Sequence, residues 1–233
     1  MRNSAVVIAV TAAAFAAAIV LAPSTGACEE SETQLWLGLY AEVSVLESLT
    51  LGMSAGVYFD YDMTHFYSWD AEGYVTWAAF SWLSLVAGYN EIRDKVETDE
   101  GVQWSWEHKP YGDIVPRLEV GGWVIQDRNR VEYIMVKDED PYFRYRNRII
   151  LQAPWRWTVL QINAYGGYEL FLSNRPLLPG ERRRIEKQRI LLGFTFMLDE
   201  HITGDCYYIR QLDWAAISWE STNVIGLSIG LVF

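Results

Sequence analysis

The chain has 233 residues, of which 51% are hydrophobic, 15% aromatic and 21% charged, and its formal net charge is −11. This hydrophobic content excludes an intrinsically disordered chain, and the acidic balance excludes a nucleic-acid-binding protein, because phosphate binding requires a basic surface. The length fits one domain, since barrels and sandwiches reach about 200–250 residues as single units.

The first segment has the pattern of a secretory signal peptide. Arg2 precedes an apolar, alanine-rich run over residues 5–22, and the small residues Thr25 and Ala27 stand just before a plausible cleavage site. We expect residues 1–27 to be removed, which leaves a mature domain over residues 28–233. An uncleaved anchor helix is the alternative, because the apolar run approaches the length that spans a bilayer.

Cys28 and Cys206 are the only two cysteines. Export to an oxidising compartment would allow them to pair, and Cys28, as the first residue of the mature chain, is also a candidate for lipidation. Thr25 occupies the position where lipoprotein signals usually have leucine. Both possibilities stay open at this point.

The mature chain shows alternation of apolar and polar residues over segments of ten or more residues. In the first segment Leu35, Leu37 and Leu39 share one face, and Trp36 and Gly38 share the other. This period of two predicts β-strands with two different faces. The segments are longer than globular strands and match the 9–11 or so residues of a membrane strand. The predicted strands cover residues 35–45, 51–61, 69–81, 83–93, 102–119, 123–137, 142–153, 157–173, 183–198, 202–212 and 222–233.

The connections between these strands alternate in length. Short turns are predicted at 46–48, 81–83, 121–122, 154–155 and 199–201, and longer polar loops at 63–68, 94–101, 137–141, 174–182 and 213–221. Outer-membrane barrels have short turns on one rim and long loops on the other. Several tryptophans lie near strand ends, which indicates interfacial aromatic girdles: Trp69, Trp82, Trp123, Trp155, Trp157, Trp214 and Trp219.

The carboxyl terminus has one continuous apolar face that ends on an aromatic residue, a pattern similar to the closing strand that bacterial outer-membrane barrels present to their assembly machinery. This predicted barrel-assembly signal consists of Ile225, Leu227, Ile229, Leu231 and Phe233. The fold prediction is therefore an all-β, transmembrane, antiparallel up-and-down barrel of 10–12 strands. Eleven segments are countable, but 12 is preferred, because single-chain bacterial barrels normally have an even number. The segment 102–119, interrupted by Pro110 and Pro116, is the place where a strand is most easily miscounted.

Two neighbouring segments carry arginines at a spacing of two residues. DRNRVEY (127–133) and YFRYRNR (142–148) each place arginines on one face, and a midplane arginine facing lipid costs about 2–4 kcal/mol, so this face is predicted to line the lumen. Like charges on adjacent strands repel, so carboxylates must lie nearby. The predicted lumen network comprises Arg128, Arg130, Glu132, Arg144, Arg146, Arg148, Glu169, Lys187, Arg189, Glu42, Glu72 and Glu107. We expect a basic and an acidic side, bridged by bidentate arginine–carboxylate pairs.

These segments resemble a known family. DRNRVE and FRYRNR, followed by YGGYELFL (165–172), EKQRILLGFTF (186–196), YYIRQ (207–211) and NVIGLSIGLVF (223–233), are similar to the bacterial domain of unknown function 2490 family, and LVAGYNEI (85–92) and WSWEHKP (104–110) fit as well. The resemblance implies an envelope β-barrel in a Gram-negative-type bacterium and no established activity. Cys206, just before YYIRQ, has no counterpart in the pattern.

The predicted function is a structural barrel, or passive passage of a small charged solute through the Arg/Glu lumen. A hydrolase acting on lipids or esters is the first alternative, with His65, Asp62, Ser68 and Asp70 as a rim cluster. A soluble periplasmic ligand-binding barrel is the second. The sequence has no spacing typical of a metal site or cofactor motif, although the acidic runs 96–101 and 137–140 are candidates for divalent cations. Expected partners are outer-membrane lipids and lipopolysaccharide, the barrel-assembly machinery and the solute.

Overall fold

The computed structural model describes residues 32–98, 101–175, 185–215 and 218–233. The predicted signal peptide and Cys28 lie outside these residues. In the part of the chain that the structure describes, no helix is long and apolar enough to cross a membrane. The strands are β1 (Glu32–Leu46), β2 (Leu49–Asp60), β3 (His65–Phe80), β4 (Leu83–Thr98), β5 (Gly101–Val120), β6 (Trp123–Val136), β7 (Tyr142–Gln152), β8 (Asn163–Ser173), β9 (Ile185–Met197), β10 (Ile202–Ala215) and β11 (Ser218–Val232).

The described strands form one closed barrel of 11, in which sequence neighbours pair in antiparallel fashion. The all-β barrel is confirmed, and the preference for 12 strands is wrong. With an odd number, β1 and β11 run in the same direction and pair in parallel. A purely antiparallel up-and-down barrel is therefore also wrong at this one seam. The seam keeps apolar residues opposite apolar residues, because Leu37 pairs with Leu227 and Ala41 with Leu231.

The parallel seam places the first and last described residues at opposite rims. We call the rim where β1 begins rim A, and the rim where Phe233 lies rim B. Rim B carries four tight connections and one long one, over residues 153–162, where a short turn and the start of a strand were predicted. Thr158 and Gln161 have positive φ angles of 63° and 49°, and Trp157 forms a bridge with Ile162. The chain thus folds back in a small turn, and β8 begins only at Asn163.

Rim A also differs from the predicted loop pattern. The strands on both sides of the predicted loop 94–101 extend farther than expected, so that β4 ends at Thr98 and β5 begins at Gly101. Pro110 and Pro116 lie inside β5 without ending it. Both prolines lie where the pairing of β5 with β6 is interrupted, so the N–H donor that proline lacks is not needed in that ladder.

Alternation separates two faces around the whole barrel. The outward face carries large apolar side chains that remain exposed, such as Leu39 at 65%, Met53 at 64% and Val131 at 51%. The inward face carries the buried polar and charged groups, including Glu132 at 1% and Glu169 at 0%. A soluble globular domain has the opposite arrangement. An apolar patch formed by Leu191, Ile209 and Val224 lies on the inner wall of β9–β11, packed against Trp36 and Tyr207.

Inward tyrosines lie against the wall above glycines of the neighbouring strand. A Cβ added at Gly230 would be 2.0 Å from the Tyr40 ring, and one added at Gly226 would be 2.0 Å from the Tyr207 ring. Each glycine therefore leaves the space that its cross-strand tyrosine occupies, which keeps both rings out of the centre of the lumen.

We expect Gly230→Val to destabilise the barrel by about 1–3 kcal/mol, because the new side chain forces the Tyr40 ring away from the wall. The free energy of unfolding can be measured by urea titration with tryptophan fluorescence. Gly73→Val is the matched control, since nothing lies within 4 Å of a Cβ at that strand position. Equal stability of the two variants would contradict the proposed packing.

Candidate functional site: a charged cavity in the lumen

A cavity of about 470 Å³ occupies the rim A half of the lumen. Residues of all strands from β1 to β10 form its wall, and the aromatic side chains among them are Trp36, Tyr58, Tyr67 and Phe171. Eight cationic and five acidic side chains line it. The cationic set is Lys109, Arg128, Arg130, Arg144, Arg146, Arg148, Lys187 and Arg189, and the acidic set is Asp70, Glu72, Asp94, Glu107 and Glu132.

Glu169 lies at the centre of four arginines of the cavity, Arg128, Arg146, Arg148 and Arg189, which we call the basic wall. This fully buried carboxylate accepts hydrogen bonds from Arg128 Nη2 at 2.7 Å, Arg146 Nη2 at 2.8 Å and Arg148 Nη2 at 2.9 Å. Arg189 Nη1 lies 3.6 Å from its second oxygen. The register explains the convergence, because Glu169 on β8 pairs with Arg148 of β7 and with Arg189 of β9. One negative charge is thus shared by four guanidinium groups.

Glu132 is a second buried anion of the same wall. It accepts from Arg144 Nε and from Arg146 Nη1, both at 2.7 Å. Arg146 therefore bridges Glu132 and Glu169. Charge-assisted bonds of this length are among the strong hydrogen bonds of proteins, and a carboxylate removed from water requires them.

Arg130 forms the one fully bidentate pair of the cluster, with Nε at 2.7 Å and Nη2 at 2.9 Å from the two oxygens of Asp113. Its Nη1 reaches Glu72 of β3 at 3.4 Å, and its guanidinium lies 3.5 Å from the centroid of the Tyr111 ring. Phe171 lies beneath the other cations, with the guanidinium of Arg146 at 4.6 Å and that of Arg189 at 4.8 Å from its centroid. These ring contacts add attraction between the cations and the aromatic faces.

The structure brings most of the predicted network together. Arg128, Arg130, Glu132, Arg144, Arg146, Arg148, Glu169, Arg189 and Glu72 form one connected cluster. Lys187 pairs separately with Asp213 at 2.9 Å. Glu107 pairs with Lys109 at 2.8 Å. Glu42 lies apart from the arginines and accepts a hydrogen bond from the Tyr74 hydroxyl at 2.7 Å.

The pairing differs from the expected bridge across the lumen. Arg128 pairs directly with Arg148 across β6 and β7, and Arg130 pairs with Arg146. These are the adjacent like charges that the sequence predicted would need carboxylates nearby. Most of the carboxylates that compensate them come from strands at most two positions away, as in the pair of Arg128 on β6 with Glu169 on β8. Glu72 is the acidic group of β3 that reaches an arginine. Asp70 is engaged by the Tyr58 hydroxyl at 2.6 Å and by the Asn90 amide at 2.9 Å.

Four carboxylates of the site were not predicted: Asp94, Asp113, Glu186 and Asp213. Asp113 lies between the two prolines of β5, where the alternation was hardest to read. Continuing the inward parity from Glu107 and Lys109 through Tyr111 would have reached it. Asp213 was assigned to the predicted loop 213–221, since the predicted strand ended at residue 212. In the structure β10 continues to Ala215 and therefore includes Asp213.

The alternative hydrolase cluster has a different arrangement from the predicted one. His65 Nδ1 lies 2.8 Å from Asp60, and Asp62 is exposed in the turn between β2 and β3. Ser68 is buried and, like Asp70, faces the lumen. The acidic run 96–101 lies partly outside the described residues. In the run 137–140, Glu139 forms an ion pair with Arg175 at 2.6 Å.

The outer face carries the predicted closing-strand residues and the aromatic pairs. Ile225, Leu227 and Leu231 are exposed between 40% and 43%, and Phe233 at 58% stacks on His201. Among the residues that the structure describes, Cys206 of β10 has no disulfide partner. Near rim B the ring centroids of Trp123 and Trp155 are 5.4 Å apart. Near rim A those of Trp214 and Trp219 are 5.3 Å apart.

A comparison with curated proteins found no match. A family model described as Protein of unknown function (DUF2490) matches residues 33–222, which include β1 to β10, the start of β11 and every residue of the arginine–carboxylate cluster. The chain belongs to the DUF2490 family.

Proposed function

We propose that this chain is an outer-membrane β-barrel that gives small anionic solutes passive passage through its arginine-lined lumen. The observation that carries the proposal is the lining of the cavity, where eight cationic side chains stand against five carboxylates. Four further carboxylates pair with these cations without lining the cavity, namely Asp113, Glu169, Glu186 and Asp213, so the surface that a solute meets is more basic than the whole network. A focused positive field inside a low-dielectric wall raises the local concentration of anions.

The outer face supports placement in a membrane. On β6 the outward residues run from Trp123, which contacts Trp155, to Tyr133, whose ring lies 5.0 Å from that of Phe143. A strand tilted by about 40° advances about 2.5 Å per residue along the membrane normal, so these aromatic pairs are about 25 Å apart. This spacing matches the apolar band between the aromatic girdles of outer-membrane barrels.

Donors that the network leaves free support an anionic solute. The Nε–H groups of Arg128 and Arg148 are buried without a hydrogen-bond partner among the described residues. Buried donors are normally satisfied, so these two arginines, whose side chains are 19% and 27% exposed, are suited to turn a guanidinium N–H towards a carboxylate or phosphate oxygen that enters the cavity. Trp36 and Phe171 provide apolar surface for the remainder of a small solute.

Export and assembly complete the proposal. The signal-peptide pattern of residues 1–27 would direct the chain out of the cytoplasm, and the alternating last strand that ends at Phe233 would be recognised by the assembly machinery. Outer-membrane lipids and lipopolysaccharide would then surround the exposed apolar face.

Planar-bilayer recording tests this function. We expect stepwise conductance with a preference for chloride over potassium, and we expect Arg146→Gln to reduce that preference. A silent bilayer, with protein shown to be inserted, would contradict passage and leave a structural barrel. Ester or phospholipid hydrolysis that is lost in His65→Ala would favour the hydrolase instead. Recovery of the protein as a soluble periplasmic species would favour the ligand-binding barrel.

A further inference from the structure

A polar cluster on the outer face of β6 and β7 is not explained by the lumen. It consists of Asp127, Asn129, Tyr145 and Asn147, and each member alternates along its strand with an arginine of the lumen network. Because successive side chains of a strand point to opposite faces, these four residues point away from the lumen. The cluster therefore lies on the face that the proposed function assigns to lipid.

The cluster lies at the depth of the membrane interior rather than at an interface. Asp127 is four residues from Trp123 and six from Tyr133, which corresponds to about 10 Å and about 15 Å from the two aromatic girdles. Its surroundings are apolar and exposed, with Val131 at 51% and Ile149 at 45%. A carboxylate and two amides in an apolar band are unfavourable unless another polar surface covers them.

The cluster satisfies only part of its own hydrogen-bonding capacity. Asn147 uses its amide nitrogen twice, towards Asp127 Oδ1 at 2.6 Å and towards Asn129 Oδ1 at 3.1 Å. The Tyr145 hydroxyl donates to Asn129 Oδ1 at 2.5 Å, and Asn129 Nδ2 has only a long bond of 3.4 Å to the Asp127 carbonyl. One amide N–H of Asn129, the Asn147 carbonyl and the second Asp127 oxygen remain to be matched.

We propose that this outer face of β6 and β7 is the contact surface between two copies of this chain in the membrane. The remaining groups are self-complementary, since the Asn129 donor of one copy fits the Asn147 or Asp127 acceptor of the other, and the reverse. A two-fold contact brings the same patch of both copies together and forms such bonds in pairs. In this contact the exposed apolar residues around the cluster of one copy pack against those of the other. The hydrogen bonds between the polar side chains then hold the two barrels together. The inference rests on the membrane placement in the proposed function and is independent of anion passage.

Cysteine crosslinking in lipid vesicles tests the contact. In a chain carrying Cys28→Ser and Cys206→Ser, Ile149→Cys is expected to give disulfide-linked dimers on mild oxidation. Met53→Cys is the matched control, because Met53 is also an exposed outward residue but belongs to β2, on the far side of the barrel. Equal crosslinking at the two positions, or crosslinking of Ile149→Cys to a different protein, would overturn the proposal.

A second variant separates an interface from a role in the barrel wall. Asp127→Leu, Asn129→Leu and Asn147→Leu in combination are expected to reduce the dimer about five- to tenfold, because the hydrogen bonds between the two copies are lost while no carboxylate is left without its donor. The midpoint of urea unfolding of the variant should stay at or above the original value, since leucine is compatible with lipid. An unchanged dimer fraction, or a strongly destabilised monomer, would contradict the interface. Protein that cannot be inserted into vesicles would contradict the membrane placement itself, and a silent but dimeric barrel would contradict passage alone.

Discussion

Replacement of Glu169 by glutamine is expected to destabilise the barrel by about 3–5 kcal/mol, the range found when one member of a buried ion pair is removed. Glu169 is the shared acceptor of Arg128, Arg146 and Arg148, and Arg189 lies nearby. Glutamine keeps the shape of the side chain but removes the negative charge, so four guanidinium groups would repel one another with less compensation. Urea unfolding in lipid vesicles, followed by tryptophan fluorescence, gives the free energy.

Two controls make this result specific. Glu119→Gln removes a carboxylate whose partner Arg117 is 3.7 Å away and more than half exposed, and it should change stability by less than about 1 kcal/mol. Adding Arg128→Gln to Glu169→Gln should restore part of the lost stability, because it removes one of the unpaired cations. A Glu169→Gln barrel as stable as the Glu119→Gln barrel would contradict a central role for Glu169.

The second large effect concerns ion preference. Arg128→Gln combined with Arg148→Gln is expected to lower the ratio of chloride to potassium permeability about thirtyfold or more, since each of the two cations near a permeating ion contributes on the order of 1–3 kcal/mol at an intermediate dielectric constant. These two arginines carry the buried Nε–H groups without a partner. The reversal potential in a salt gradient measures the ratio directly.

Arg117→Gln is the matched control for this experiment. Arg117 is an exposed arginine near rim B, outside the cavity wall. Its replacement should leave the reversal potential nearly unchanged. An equal effect of the rim and lumen substitutions would indicate that ion preference arises from the general surface charge, which would contradict selection at the arginine wall.

The alternation of the strands predicted the barrel, because a period of two assigns each side chain to one face whatever the partner strand is. The same reasoning placed Arg128, Arg130, Arg144, Arg146 and Arg148 on one inner wall. It could not find which carboxylate each arginine contacts. That depends on register, and the Glu169 hub exists only because β7, β8 and β9 place Arg148, Glu169 and Arg189 side by side.

The strand number was not predictable from the same pattern. The eleven segments counted in the sequence were set against a general preference for even numbers, and the structure closes with a parallel pair that the preference does not anticipate. The turn at 157–162 was missed because Thr158 and Gln161 are not typical left-handed residues. Leu160 and Ile162 continued the apolar alternation of β8, so the sequence concealed the turn.

The outer polar cluster was not predicted from the sequence. Asp127 and Asn129 belong to the same DRNRVEY motif as the arginines of the lumen, and they lie on its opposite face. The outer face of such a motif is as informative as its inner face, because the outer face of a membrane barrel should be apolar. The exceptions to that rule indicate where the barrel meets something other than lipid.

The orientation of β3, a strand outside the proposed contact between two copies, gives the sharpest test of the membrane-spanning barrel. Single cysteines at positions 73, 74, 75 and 76, in a chain carrying Cys28→Ser and Cys206→Ser, can be labelled with a fluorophore and exposed to brominated lipids. We expect strong quenching at positions 73 and 75 and weak quenching at positions 74 and 76, because the former face outward and the latter face the lumen. Uniform quenching along the strand, or none at any position, would contradict a membrane-spanning barrel with a charged interior.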